Sequence, residues 1–148
     1  MERYRFFDNA STTKCSDRVL QTLQECGEQV YGNPSSTHAA GEAASRRVRD
    51  ARRVFAEAFG VDPTQVIFTG SGSESDNLAI QGVALQAHID ALKDKDPAQL
   101  RVISTRTEHA AVRKSCESLA AFGIKPEFLP VNRQGEVDPE ALKHALLQ

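Results

Sequence analysis

Val66-Ile67-Phe68-Thr69-Gly70-Ser71-Gly72-Ser73-Glu74-Ser75-Asp76-Asn77 is the stretch that decides the fold. Its opening run is β-branched and aromatic, which reads as a short buried strand. Gly70-Ser71-Gly72-Ser73 then makes a turn in which backbone can approach a ligand closely. Glu74, Ser75 and Asp76 suit the first turn of a helix. Leu78, Ala79, Val83, Ala84 and Ala87 continue that helix along one face. A strand, a glycine turn and a helix start offer free N–H groups and the positive end of a helix dipole to an anion. The residues expected to hold it, as a phosphate, are Gly72 and Ser73. The spacing matches neither the dinucleotide pattern G-x-G-x-x-G nor the P-loop pattern. A Gly/Ser turn of this kind also serves as a plain connection, and local pattern alone leaves both readings open.

Downstream, the helix is expected to end near Leu92, before the polar run 93–97. That run reads as a solvated linker. Arg101–Thr105 reads as a second strand, residues 111–122 as a helix closed by Gly123, and residues 126–131 as a third strand. Asp138 caps a last helix with Pro139 at its first position. Upstream, residues 4–8 read as a short strand. Ser16 caps a helix over residues 17–29 with Val19, Leu20, Leu23 and Val30 on its apolar side. Gly32-Asn33-Pro34-Ser35-Ser36 is a loop by composition. A long helix over residues 39–59 carries Ala44, Val48, Ala51, Phe55 and Ala58 as a buried stripe, and Gly60 ends it. Strands alternating with helices predict an α/β layer with a largely parallel sheet.

The 148 residues fit one ordinary domain, and 40% hydrophobic with 26% charged residues is a globular composition. The net charge of −2 goes with no basic stripe. Arg46, Arg47, Arg49, Arg52 and Arg53 cluster, but Asp50 and Glu57 interleave with them, so a solvated helix face is expected and no nucleic-acid surface. No apolar segment reads as a signal peptide or a membrane span, and a cytoplasmic location is the expectation. Cys15, Cys26 and Cys116 form no C-x-x-C pair and read as reduced thiols. His38, His88, His109 and His144 lack ligand spacing, so no metal is expected. Ligands on parallel sheets gather at the carboxyl ends of strands. Two loops there carry chemistry, residues 70–73 and residues 105–109. His109 is the histidine best placed to act, although in isolation a histidine on such a loop reads more readily as a surface residue.

Four segments in chain order resemble the cysteine desulfurases, pyridoxal-phosphate (PLP) enzymes of the class V aminotransferase family. Phe7-Asp8-Asn9-Ala10-Ser11-Thr12-Thr13 is similar to the family's opening D-x-x-A-T-T segment. Gly32-Asn33-Pro34-Ser35-Ser36, with His38 and Gly41, is similar to its active-site loop. Glu74-Ser75-Asp76-Asn77-Leu78-Ala79 follows the turn as in the family. Thr107-Glu108-His109, with Ala111 and Val112, resembles its histidine motif. The Asn-Pro-Ser-Ser and Glu-Ser-Asp-Asn versions resemble the subgroup that supplies sulfur for iron–sulfur clusters and tRNA thiolation.

The resemblance implies an α/β fold, part of the large domain of fold-type I PLP-dependent transferases, three-layer αβα with a mainly parallel sheet. Residues 1–15 correspond to an N-terminal arm of the small domain and residues 16–148 to the first part of the PLP-binding large domain. Gly72 and Ser73 fall on the pair that holds the PLP phosphate, where Gly-Ser replaces the usual small-residue-Thr pair and keeps a hydroxyl. His109 falls on the histidine that stacks on the pyridine ring and moves protons. Asn33 and His38 carry over by position, without a role. The implied reaction takes sulfur from L-cysteine and leaves L-alanine and an enzyme persulfide. The implied partners are a second copy in a homodimer and a sulfur-acceptor or iron–sulfur scaffold protein. The family's Schiff-base lysine, pyridine-binding aspartate and persulfide cysteine lie in later segments, so residues 1–148 alone are expected to be inactive. In the family the first strand lies apart from the second and third, with later strands between, so residues 66–69 are expected to lack neighbours here. A non-catalytic α/β binding domain, one half of a split enzyme, or a small nucleotide-binding domain are the alternative readings.

Overall fold

The computed structural model describes residues 5–94 and 100–147. The chain divides into two compact units, Met1–Ile67 and Phe68–Gln148. Among the described residues, no helix is long and apolar enough to cross a membrane.

The first unit is helical. Helix α1 spans Asp17–Gln29, and Ser16 Oγ accepts the Val19 N–H at its start. Helix α2 spans Ala39–Phe59. It ends in a Schellman motif, with Gly60 left-handed at φ 64°, Val61 N–H on the Ala56 carbonyl and Gly60 N–H on that of Glu57. That φ is why glycine stands at position 60. A single 3-10 turn, Pro63–Gln65, follows, with Asp62 and Gln65 capping each other. Both long helices keep the boundaries that their caps predict. The stripe expected to be buried on α2 is mostly not: Ala44 is buried and Val48 half-buried, but Ala51, Phe55 and Ala58 are exposed, and the other buried alanine, Ala56, lies off the stripe.

The second unit is α/β. Helix α3 spans Gly72–Lys93, strand β1 Arg101–Thr105, helix α4 Ala110–Ser118, strand β2 Lys125–Leu129 and helix α5 Pro139–Leu147. The strands pair in parallel, from Arg101 opposite Lys125 to Thr105 opposite Leu129. Antiparallel strands could be joined by a tight turn; a parallel pair needs a crossover, and α4 supplies it. The last turn of that crossover tightens into a 3-10 segment, Leu119–Phe122, and closes on Gly123 in a second Schellman motif. Leu119, Ile124, Leu129, Cys116 and Ala145 form the core. Arg101 bridges Glu127 at 3.0 Å and donates to the Ala145 carbonyl, tying β1, β2 and α5 together.

Three expectations need correction. Residues 66–69 form no strand. Val66 has extended dihedrals, yet its N–H bonds the Pro63 carbonyl and its own carbonyl accepts from Arg52 Nε at 3.0 Å. A strand is stable only against a ladder, and local β-propensity does not supply one. Residues 5–8 are also irregular, and Tyr4 lies outside the described residues. The third strand starts at Lys125 and stops at Leu129; Val131 instead makes an isolated antiparallel bridge with Val137. Residues 95–97 of the expected linker lie outside the described residues.

Pro126 marks β2 as an edge strand. Lys125 N–H points to β1, where it bonds the Leu100 carbonyl. The next nitrogen therefore lies on the outer edge of β2, and it belongs to Pro126, which has no hydrogen to offer. The edge of β1 keeps its full set of donors. Amide exchange checks this layout: in a polypeptide of residues 1–148, Ile67 and Thr69 are expected to exchange within the dead time, while Ser104 and Glu127, whose N–H groups face the partner strand, are protected. Strong protection at Ile67 and Thr69 would show that a strand had formed after all.

Candidate functional site

The start of α3 is built by short polar side chains. Ser71 is the N-cap, and its Oγ accepts the Glu74 N–H at 3.2 Å. Glu74 reaches back, and its Oε2 accepts the Gly70 N–H at 2.7 Å. This is a capping box shifted by one residue. Thr69 donates to the Ser71 carbonyl and shares a 2.6 Å contact with the Ser75 hydroxyl. The turn is therefore held from both sides.

Four N–H groups at a helix start have no carbonyl within the helix. Here Ser71 Oγ takes that of Glu74, and no described residue accepts from Gly72 or Ser73 N–H. A side chain at position 72 would meet nothing within 4 Å, so the space above these donors is open. The Glu74 carboxylate is engaged with Gly70 and does not fill it. Gly72, Ser73 and the Ser73 hydroxyl thus fit a phosphate-sized anion, and with it the phosphate end of PLP.

The first turn of α3 is tied to α4 through side chains that the sequence reading did not single out. Asn77 Nδ2 donates to the Ser73 carbonyl at 2.7 Å, and Gln81 Nε2 donates to Asn77 Oδ1 at 2.9 Å. Gln81 also donates to Ser118 Oγ at 3.1 Å, and Ser118 donates to the Ser115 carbonyl. The i, i+4 step from Asn77 to Gln81 was visible in the sequence. The partner 37 positions further on was not.

His109 sits on the loop leaving the carboxyl end of β1, where parallel sheets collect their ligands. It is the N-cap of α4, and its Nδ1 accepts the Ala111 N–H at 3.1 Å. The ring is exposed. Thr105 and Thr107 hydroxyls, 3.0 Å apart, brace the loop before it. Gly72, Ser73 and His109 therefore belong to one unit, at the starts of two helices that pack against each other.

Asn33 and His38 lie in the other unit. Asn33 Oδ1 accepts the Ser35 N–H at 2.9 Å, and His38 Nδ1 accepts the Gly41 N–H at 3.3 Å. A Cβ on Gly41 would stand 2.3 Å from the Ser36 carbonyl oxygen, so only glycine lets this loop close onto α2. Both side chains serve the loop itself.

The thiols differ sharply. Cys15 is exposed, Cys26 half-buried and Cys116 buried. Burial pushes the Cys116 thiol up, against a smaller opposing pull from its hydrogen bond with Ser104. A nucleophilic cysteine needs the opposite environment. Alkylation of the folded protein is expected to label Cys15 first and Cys116 about tenfold or more slower. Equal labelling, read by peptide mass spectrometry, would contradict the burial.

The profile described as Aminotransferase class-V matches residues 5–148. A cysteine desulfurase IscS of Dictyoglomus turgidum is 37% identical over 146 residues, covering 99% of this chain and 35% of that protein. An IscS-like cysteine desulfurase of Mycobacterium tuberculosis is 35% identical, covering 95% of this chain and 35% of that protein. Among solved structures, a NifS-like protein superposes with TM-score 0.81 at 33% identity, covering 93% of this chain and 36% of that one. A structure titled "SspA in complex with cysteine" gives TM-score 0.82 at 27% identity, covering 96% of this chain and 39% of that one. The chain spans about a third of the length of the curated relatives it matches.

Proposed function

The chain belongs to the aminotransferase class-V family, and on that premise we propose that it is the N-terminal portion of a PLP-dependent cysteine desulfurase. The observation that carries the reading is the open pair of donors at Gly72 and Ser73, on a chain whose relatives bear that name. The substrate is L-cysteine, and the products are L-alanine and a sulfur held as a persulfide on a cysteine outside residues 1–148. The solved neighbour titled as a complex with cysteine supports that substrate.

Residues 1–15 form an arm of the small domain, and residues 16–148 begin the PLP-binding large domain. The N–H groups of Gly72 and Ser73, with the Ser73 hydroxyl, hold the phosphate at the positive end of α3. Ser71, Glu74 and Thr69 keep that turn in shape, and Asn77 and Gln81 fix its angle to α4. His109, from the carboxyl end of β1, stands over the ring and handles a proton. PLP, when bound, supplies the electron sink that the cleavage needs. The lysine that holds it covalently comes from outside these residues. The exposed apolar positions of α3, Leu78, Val83, Ile89 and Leu92, fit a helix that further polypeptide covers. A homodimer, a cytoplasmic location and a sulfur-acceptor or iron–sulfur scaffold partner complete the proposal.

Two measurements test it. Ser73→Ala in the intact protein removes one donor to a charged oxygen, a bond of about 1.5–3 kcal/mol, so PLP affinity is expected to fall about ten- to hundredfold. Titration by absorbance reads this, and unchanged affinity would place the phosphate elsewhere. A polypeptide of residues 1–148 alone is expected to make no alanine from cysteine, and borohydride is expected to fix no PLP on it. Covalent PLP on a lysine of that polypeptide would contradict the assignment.

A further inference from the structure

His109 has two ring nitrogens, and one of them is engaged. Nδ1 accepts the Ala111 N–H at 3.1 Å and caps α4. A ring nitrogen that accepts a hydrogen bond carries a lone pair and no proton. The single proton of the neutral ring then lies on Nε2, because the hydrogen bond at one nitrogen sets the tautomer at the other. His38 repeats the arrangement in the first unit, with Nδ1 on the Gly41 N–H at the start of α2.

We propose that His109 divides its nitrogens: Nδ1 holds the start of α4, and Nε2, carrying the proton, is the only nitrogen it offers to a group bound at Gly72 and Ser73. The inference rests on the reading that His109 serves a PLP site. It assigns that service to one atom. The neutral ring presents a hydrogen-bond donor and no acceptor. A proton taken up by the ring must go to Nδ1, which has the only lone pair. The ring then bears N–H at both nitrogens, and the Ala111 N–H loses its acceptor. Proton uptake by His109 and capping of α4 exclude each other.

Nitrogen-15 NMR of the intact, PLP-loaded protein labelled at histidine tests the assignment without reference to activity. The His109 signals are identified by their loss in His109→Asn. The expected pattern for the neutral ring, recorded above the pH at which its signals stop changing, is pyridine-type Nδ1 with pyrrole-type Nε2, and the same pattern at His38. A neutral His109 ring with its proton on Nδ1 and pyridine-type Nε2 would overturn the proposal. Two variants separate the two nitrogens. Asparagine places a carbonyl oxygen where Nδ1 stands and is a favoured cap, whereas alanine supplies neither nitrogen. His109→Ala is expected to lower both Tm and the kcat for alanine formation. His109→Asn is expected to restore Tm to within about 2 °C of the parent while kcat stays down at least about tenfold. An asparagine variant that recovers kcat, or that melts like the alanine variant, would overturn the division. A parent protein with this tautomer and no desulfurase activity would remove the proposed function and leave the assignment standing.

Discussion

Each helix start exposes N–H groups that no helical carbonyl can reach, and this chain meets that constraint with a side chain just ahead of each α-helix among the described residues. Ser16, His38, Ser71, His109 and Asp138 do so in turn for α1 to α5. Each such bond contributes about 0.5–2 kcal/mol, a sizeable share of the stability of a small unit. The caps also fix where the loops end, and the loops carry the chemistry. The turn before α3 is held so that Gly72 and Ser73 stay open, and the loop after β1 is held by the same histidine that the site would use.

The parallel ladder of β1 and β2 organises the second unit around these starts. It requires a crossover, and the crossover brings the start of α4 to the carboxyl end of β1. Arg101 and Glu127 are half-buried to mostly buried at 3.0 Å, and Arg101 also satisfies the Ala145 carbonyl. A charge-assisted pair held in place this way fixes register better than an exposed helix pair such as Arg46 with Glu42, which contributes about 0–1 kcal/mol. The edge of β1 and the apolar side of α3 remain uncovered, which accords with relatives about three times the length of the chain.

Much of this was legible in the sequence where the cause is local. The boundaries of α1 and α2 follow from Ser16 and Gly60, because caps act within four residues of themselves. The strand expected at residues 66–69 failed because a strand depends on a distant partner that local propensity does not report. The shortened β2 failed for the same kind of reason: Val131 pairs with Val137 across a turn, outside the parallel ladder. At the candidate site, Gly72, Ser73 and His109 could be named from the motifs. The cap on Ala111 could not, since histidine is an uncommon N-cap and read there as a loop residue. The Gln81–Ser118 bond joins two helices and had no signature in either.

The central claim is that these residues belong to an enzyme that removes sulfur from cysteine with PLP. The direct test is to isolate the protein from its source cells, at whatever length and with whatever partners it has, and to follow L-cysteine with PLP present. The account predicts one L-alanine formed for each sulfur released. Intact L-cysteine with no alanine, from a protein that still binds PLP, would contradict it.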